Sequence, residues 1–255
     1  AFYTREDTAR FNDNRAADDS GATVGTLLKT EYDPSIFKEY AAFTNLTVDI
    51  TDRFDVQVGG RYSENEQAYP VVITGPFGAL AYGSDPFTLA QANDTKDSAF
   101  TYAVSPRFKI SDDLMLYARA ASGYRPGGPN ISCGQPAIPC QFKADTTQNY
   151  EVGIKGDVLN QRVYFETSIY YIDWQDIQIA NILSGAFFYT GNASRAKSQG
   201  MELSVDTKLL PGLRMSGWTA YNEAELTEDF PSGQLVGRTG DRLPYSARVS
   251  GNLSV

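Results

Sequence analysis

A two-residue alternation of apolar and polar side chains runs through most of this chain and constrains its fold more than any other feature. The segment 54–63 places Phe, Val, Val, Gly and Tyr at even positions and Asp, Gln, Gly, Arg and Ser at odd positions. The same period recurs in 100–110 and 162–171. Because successive side chains of a β-strand point to opposite faces, each of these segments predicts a strand with one apolar and one polar face.

The polar face of the predicted strands is strongly charged. A soluble β-sandwich also alternates, but it turns its apolar faces inward onto a packed core and has no reason to segregate short and long connections. A membrane-spanning barrel does the opposite, because its apolar face meets lipid and its polar face lines the interior. The charged residues predicted to share this face are Arg61, Arg107, Lys109, Arg119, Glu151, Lys155, Arg162, Glu166, Glu202 and Asp206.

Strand and loop lengths favour an antiparallel up-and-down barrel. About ten strands are predicted, near 1–11, 38–50, 54–66, 98–110, 114–124, 148–157, 162–180, 186–207, 213–227 and 243–255. Short links at 51–53, 111–113, 158–161 and 209–212 alternate with longer ones at 12–37, 67–97, 125–147, 181–185 and 228–242. In a meander, every second connection lies at the same end, so the short turns share one rim and the long loops share the other.

Composition excludes several classes of protein. No apolar run of about 18 residues is present, so membrane-spanning helices are not predicted. The net charge of -9 argues against a nucleic-acid partner, since phosphate binding requires clustered Lys and Arg. The chain contains no His, which removes His-based metal sites and Ser-His-Asp catalysis. We therefore expect no catalytic residues, no metal site and no cofactor.

Two cysteines lie close together in a turn-rich segment. Cys133 and Cys140 enclose Gly-Gln-Pro-Ala-Ile-Pro, and a disulfide between them would close a small loop. Such a bond indicates an oxidising compartment. The alternatives are two free thiols or half of a metal site, but no other Cys and no His is present to complete a ligand set.

Several ordered segments resemble the barrel domain of TonB-dependent receptors, the active transporters of the Gram-negative outer membrane. The strand and loop base at Tyr117–Asn130 is one of them. The resemblance covers most of the chain from about 36 onward and leaves 67–97 and 131–145 unmatched. The other segments that carry it, in the order of the family, are Asn149–Asp157, Tyr171–Gln178, Asn192–Glu202 and Gly240–Tyr245.

The resemblance implies a fold larger than this chain. Such receptors have a barrel of about 22 strands filled by an N-terminal plug, preceded by a segment that engages the energising protein TonB. Neither part is recognised here, and the family barrel usually ends in an aromatic residue, whereas this chain stops at Val255. Residues 1–255 are thus interpreted as an internal part of the C-terminal barrel domain, with a complete ten-stranded barrel as the alternative.

The implied function is uptake of a scarce, bulky solute across the bacterial outer membrane, powered by TonB. A ferric siderophore or a similar metal chelate is the expected ligand. The barrel is expected to be surrounded by membrane lipid, and a surface lipoprotein is a further possible partner. Two interpretations are open for Arg125: it belongs to a sharp turn formed by the Gly and Pro residues that follow it, or it contacts the ligand. The candidate ligand contacts near the loop ends are Tyr124, Arg125, Trp174, Tyr189 and Tyr221.

Two other functional classes compete with this interpretation. A passive porin, or a structural barrel within a surface complex, would share the strand pattern but need neither plug nor TonB. An outer-membrane hydrolase would have to use carboxylates alone, and Asp173 and Asp176 are the nearest such pair. Residues three apart on a strand point to opposite faces, so these two carboxylates are not expected to share a site.

Overall fold

A single antiparallel sheet forms the framework of the computed structural model, which describes residues 1–77, 86–89, 94–130, 138–183, 187–230 and 236–255. Ten principal strands build the sheet: β1 (Phe2–Ala17), β2 (Thr23–Thr51), β3 (Phe54–Ala68), β6 (Thr95–Lys109), β7 (Leu114–Arg125), β10 (Asp145–Val158), β11 (Val163–Gln175), β14 (Ala196–Leu210), β15 (Leu213–Leu226) and β16 (Val249–Ser254). Six shorter strands lie in the connections: β4 (Val71–Thr74), β5 (Phe87–Leu89), β8 (Gly128–Pro129), β9 (Gln141–Phe142), β12 (Gln178–Leu183) and β13 (Phe187–Asn192).

The strand order follows the chain. The sheet runs β16-β15-β14-β11-β10-β7-β6-β3-β2, with β4 and β5 continuing beside the upper part of β2, and β1 pairs with the other side of β2. Within the described residues the sheet ends at β16 on one side and at β1 and the short β5 on the other, and β1 and β16 do not pair with each other, so the sheet is not closed. The predicted all-β, up-and-down architecture of about ten principal strands is confirmed. No helix in the described part of the chain is long and apolar enough to cross a membrane.

The strand register confirms the two predicted faces. Leu46 lies opposite Val58, Val58 opposite Val104, and Val104 opposite Ala120, so the apolar positions of four strands align in one row. The outer surface of this row is open, with Leu46 60% exposed. An exposed apolar band of this kind requires a nonpolar neighbour, which for a transmembrane barrel is lipid. We call this side the apolar face and the opposite side the polar face.

Charged side chains on the polar face satisfy one another. The Arg107 Nε donates to Asp55 Oδ1 at 2.6 Å, and Arg61 is paired with Glu39. Tyr117 donates its hydroxyl to Glu151 Oε1 at 2.7 Å. Pairing of this kind is what permits charges on a partly desolvated wall, because an unpaired charge there is costly.

The short turns and the long connections lie at opposite ends of the sheet, as predicted. β2–β3, β6–β7, β10–β11 and β14–β15 are joined by two to four residues, whereas β3–β6, β7–β10 and β11–β14 carry the small strands between them. The turn after β10 is unusual because Leu159, Asn160 and Gln161 all have positive φ, between 55° and 60°. Non-glycine residues adopt this conformation at a cost in free energy, and pairing of the strands on either side of the turn offsets that cost.

The predicted long loop at 12–37 is wrong. β1 continues to Ala17 and β2 begins at Thr23, so only 18–22 form the turn. The upper part of this hairpin lies beyond the apolar band, where neither face needs to be apolar, and the period of two therefore disappears while backbone pairing continues. Val71 and Ile73 of β4 are buried against Leu28 and Tyr32 of β2 and support this extension.

Asp18 organises the tip of the β1–β2 hairpin. Its Oδ1 accepts hydrogen bonds from the Ser20 hydroxyl at 2.6 Å, the Ser20 N–H at 2.9 Å and the Ala22 N–H at 3.0 Å. These bonds, led by the Ser20 hydroxyl, lower the pKa of Asp18 below its ordinary value of 3.8. Hydrogen bonds to the ionised form favour that form.

The tip should therefore stay ordered until strongly acidic pH. A carboxylate with a lowered pKa stabilises the structure above its unfolded pKa, and this contribution disappears as pH falls through the lower folded value. We expect a nitroxide at Asp19→Cys to remain immobile at pH 5 and gain mobility only below about pH 4. In Asp18→Asn this pH dependence should vanish. Equal pH dependence in both proteins would contradict the assignment.

Candidate functional site

The sheet divides at the junction of β6 and β7 towards the long-loop end. Backbone pairing there runs only from Lys109 and Met115 up to Ala103 and Ala121. Above that point β6 continues beside β3 up to Thr95, and β7 continues beside β10 up to Arg125. We call the unpaired boundary between 95–102 and 122–127 the seam.

A cavity of about 340 Å³ lies on the polar face at the seam. Strands β2, β3 and β6 supply one wall, and the end of β7 supplies the other. Its lining is polar and apolar in about equal parts, so it suits a group that can hydrogen bond as well as make apolar contacts. The side chains that matter below are Glu39, Arg61, Asn65, Thr101, Ser122 and Tyr124.

Tyr124 spans the seam. Its hydroxyl lies 2.5 Å from Ser63 Oγ and accepts a hydrogen bond from Asn65 Nδ2 at 2.7 Å. Ser63 and Asn65 are both buried, with 0% and 2% of their surface exposed. Tyr124 of β7 is thus tied to β3, two strands away across β6, and closes one side of the cavity.

Arg125 is held by a buried carboxylate. Its Nη2 lies 2.5 Å from Asp145 Oδ2, and the Asp145 side chain is only 3% exposed whereas that of Arg125 is 53% exposed. Arg125 also donates to the Gln178 carbonyl at 3.4 Å. The guanidinium therefore has a structural partner at the loop base, while half of its surface remains accessible.

Three amide side chains join the two loops above the seam. Asn130 donates to the carbonyls of Pro139 and Thr190, both at 2.9 Å, and accepts from the Thr190 N–H at 2.8 Å. Asn192 accepts from the Lys143 N–H at 2.7 Å, and Gln178 donates to the Pro126 carbonyl at 2.9 Å. The β7–β10 and β11–β14 connections therefore form one hydrogen-bonded unit.

Trp174 anchors these loops from below. It packs against a buried cluster of Ile177, Ala196 and Leu226, to which Ile179, Phe230 and Leu243 also contribute. This cluster joins the upper ends of β11, β14 and β15 to the segments that follow them. Trp174 is therefore a packing residue in this structure, with its ring only partly accessible.

The remaining predicted contacts are divided between the two faces. Tyr189 lies on β13 opposite Asn181, next to the Thr190 held by Asn130. Tyr221 pairs with Met201, which pairs with Ile169, so its side chain belongs to the apolar face. The structure therefore brings Tyr124, Arg125, Trp174 and Tyr189 to the long-loop end and separates Tyr221 from them.

Several residues at this site carried no sequence signal. Ser63 and Asn65 occupy predicted polar positions, but nothing in the pattern indicates that Tyr124 is their partner. Asp145, Asn130 and Asn192 lie in or beside loops, where polar residues are ordinary. Strand register is what brings them together.

The predicted disulfide includes a residue that the structure does not describe. Cys133 lies outside the described residues, so its bond to Cys140 stays a prediction.

The two carboxylates considered above lie in different settings. Asp173 accepts from Arg195 at 3.1 Å and from Gln175 at 2.6 Å, while Asp176 has a positive φ of 54° at the turn after β11. In the described part of the chain, no three His, Cys, Asp or Glu side chains are grouped so as to hold a metal ion.

Comparison with known proteins agrees with this geometry. Residues 2–255 match the family model described as TonB dependent receptor-like, beta-barrel. The chain belongs to this family. The family places it in the Gram-negative outer membrane, so that its apolar face meets lipid and its polar face lines the barrel interior.

Relatives show how much of such a protein this chain represents. It is 28% identical over 220 residues to the pesticin receptor of Yersinia enterocolitica, covering 84% of this chain and 29% of that receptor. It is 27% identical over 164 residues to the metal-pseudopaline receptor CntO of Pseudomonas aeruginosa, covering 63% of this chain and 22% of that protein. The chain thus spans less than a third of the length of these relatives.

Solved structures share the fold. The ferric yersiniabactin uptake receptor FyuA from Yersinia pestis superposes with a TM-score of 0.73 at 23% identity, over 90% of this chain and 32% of that one. The siderophore receptor PiuA from Acinetobacter baumannii gives 0.69 at 15% identity, over 98% of this chain and 39% of that one. At these identities the likeness concerns the fold alone.

Removing Arg125 should destabilise the receptor that carries this chain. Arg125→Ala leaves Asp145 buried without its cation, and we expect a loss of about 2 kcal/mol, less than for a fully buried pair because Arg125 is half exposed. Urea unfolding in detergent micelles measures the change. Arg195→Ala, which breaks a more exposed pair with Asp173, is the control and should cost under about 1 kcal/mol. Equal losses would contradict a structural role for the Arg125–Asp145 pair.

Gly127 should tolerate no side chain. A Cβ there would lie 2.3 Å from the Phe142 carbonyl oxygen and 2.9 Å from the Lys143 carbonyl carbon, both backbone atoms. We expect Gly127→Ala to separate β8 from β9 and to speed hydrogen exchange at the Asn130 amide, which is bonded to the Cys140 carbonyl. Gly25→Ala, where a Cβ meets nothing within 4 Å, is the control. Unchanged exchange in Gly127→Ala would refute the close contact.

Proposed function

We propose that this chain forms part of the wall of an outer-membrane receptor that takes up a scarce, bulky solute, powered by TonB. A metal chelate such as a ferric siderophore is the proposed cargo. The observation that carries this proposal is the family match over 2–255, together with relatives named as receptors for metal complexes. No catalytic step is proposed, since the relatives are named as receptors. The Asp173 carboxylate pairs with Arg195, and Asp176 accepts from Asn192 through its backbone carbonyl.

The proposed ligand contacts lie at the long-loop end of the barrel interior. Tyr124 lines the seam cavity, Arg125 follows it at the end of β7 beside Asp145, and Tyr189 lies on the loop unit above. Aromatic rings and a half-exposed guanidinium suit a chelate that combines flat apolar parts with anionic oxygens. Trp174 supports the same loops from its packed position. Tyr221, on the lipid side, is assigned instead to the aromatic belt at the membrane surface.

Preorganised loops favour capture of a dilute ligand. The amide clamps of Asn130, Asn192 and Gln178 fix two connections before any ligand arrives. A binding surface that is already ordered loses less conformational entropy on binding, which raises affinity. A passive pore has no need of such an ordered surface.

Uptake measurements in a receptor-deletion strain test the proposal. Cells expressing the intact receptor should accumulate radiolabelled iron supplied as ferric yersiniabactin or as a ferric catecholate, and accumulation should fall to background when TonB is deleted. In cells that express the Tyr189→Ala receptor, iron accumulation at limiting chelate should be about tenfold lower than with the unaltered receptor, as expected for loss of an aromatic contact. Val24→Ala, at the exposed hairpin tip, is the control. Accumulation that persists without TonB would identify a passive pore and reject the proposal.

A further inference from the structure

We propose that the seam between β6 and β7 is an opening joint in the receptor wall, and that Tyr124 is the latch that closes it. The joint separates the strands β3 and β6 from the strands β7 and β10 above Ala103 and Ala121. Opening would widen the seam cavity towards the outside of the cell. The role of this movement in ligand entry rests on the function proposed above, whereas the movement itself does not.

The backbone ladder between β6 and β7 is shorter than at either neighbouring junction. Five residue pairs join β6 to β7, whereas fourteen join β6 to β3 and twelve join β7 to β10. Pro106 lies inside the short ladder and has no N–H to donate, and the pairing is interrupted there between Val104 and Arg107. The β6–β7 junction therefore offers less backbone resistance to separation than the β3–β6 and β7–β10 junctions on either side of it.

Side chains replace the missing backbone bonds. On the polar face Tyr124 reaches Ser63 and Asn65, and on the apolar side Tyr102 donates its hydroxyl to Gln148 at 2.8 Å. At the top of the seam, Gly127 donates its N–H to Asp97 at 3.2 Å and accepts from Gln67 at 2.6 Å. Such bonds break singly and exchange with water, unlike a continuous ladder whose members open together.

Each side of the seam is stiff on its own. β3 stays paired with both β2 and β6 up to its last residues, Gln67 and Ala68. On the other side the ladder of β7 with β10 ends at the Arg125–Asp145 ion pair, which also contacts the loop unit through Gln178. Motion between two stiff bodies concentrates at the contact that joins them.

The cavity contains a donor that the closed seam leaves unused. Among the described residues, the Nε of Arg61 is buried without a hydrogen-bond partner, although the same guanidinium pairs with Glu39. A buried unsatisfied donor destabilises the closed arrangement. Opening of the seam would offer Arg61 Nε an acceptor, either water or an oxygen of an entering ligand. The chemistry therefore favours an oxygen-rich ligand group at this position.

Distance measurements between spin labels test the joint without any ligand. Ser98→Cys on β6 and Thr146→Cys on β10 place exposed labels on the two sides in the intact, purified receptor. We expect a main short distance and a minor longer one. Tyr124→Phe, which keeps the ring and loses both hydrogen bonds, should raise the ratio of long to short by about tenfold. Tyr150→Phe, whose hydroxyl does not cross the seam, is the matched control.

A cross-link provides the opposite test. Ser122 Oγ accepts from the Tyr102 N–H at 2.9 Å, and the two residues continue the register of the β6–β7 ladder, so a pair of cysteines there would face each other across the seam. The oxidised Tyr102→Cys/Ser122→Cys receptor, carrying thioether-linked labels that reduction does not remove, should lose the longer distance, and reduction should restore it. If the original receptor, Tyr124→Phe and the reduced cross-link variant all show the same single distance, the proposed joint is refuted.

Uptake by the same variants separates the two proposals. Iron accumulation from ferric yersiniabactin should fall at least about tenfold in the oxidised cross-link variant and recover on reduction, if entry requires opening. The receptor without the added cysteines, treated with the same reductant, controls for effects on Cys133 and Cys140. Normal uptake by the locked receptor would reject the seam as an entry joint. Absent uptake by the original receptor would reject the proposed function, while the label distances would still decide the joint.

Discussion

Every strand in this sheet depends on satisfying its backbone N–H and C=O groups where no water is available. In hydrocarbon an unpaired backbone group costs several kcal/mol, so the strands must run in long antiparallel ladders. The ladder fixes the side-chain parity of each strand, and parity in turn decides which residues meet lipid. Arg107 and Asp55 are tolerated in the wall because parity turns both to the interior, where they lie 2.6 Å apart. The alternating sequence is thus a consequence of backbone pairing.

Above the membrane the same constraint relaxes, and the architecture changes with it. Water can satisfy backbone groups there, so β6 and β7 part and side chains take over the contacts between them. The amide clamps of Asn130 and Asn192 serve the same purpose between the loops. These contacts are specific and numerous but individually replaceable by water. A rigid barrel wall can therefore be combined with a long-loop end whose segments are held together by individually weaker bonds.

The sequence was sufficient to predict the fold but only part of the site. Strands such as 54–66 and 162–175 were predictable because lipid on one side and an aqueous interior on the other impose a strict period of two. The extension of β1 and β2 through 12–37 was not, because beyond the membrane both faces are wet and the period carries no information. The bond between Tyr124 and Asn65 joins residues 59 apart in the chain, and only the register of three strands makes them neighbours. Tyr221 was predicted as a ligand contact near the loop ends, whereas its pairing with Met201 turns its side chain to the apolar face.

Tyr124 shows why parity alone does not locate a functional residue. It has the same parity as Leu116 and Ala120, which lie on the apolar face opposite Phe108 and Val104. Its hydroxyl nevertheless bonds to Ser63 and Asn65 on the polar face. Pairing of β7 with β6 ends at Ala121 while β7 stays in register with β10, so the Tyr124 side chain reaches β3 where β6 and β7 are no longer joined. A break in the ladder has thus re-aimed one aromatic residue from lipid to the cavity, and such breaks are where a strand pattern stops predicting structure and where a binding residue can be placed.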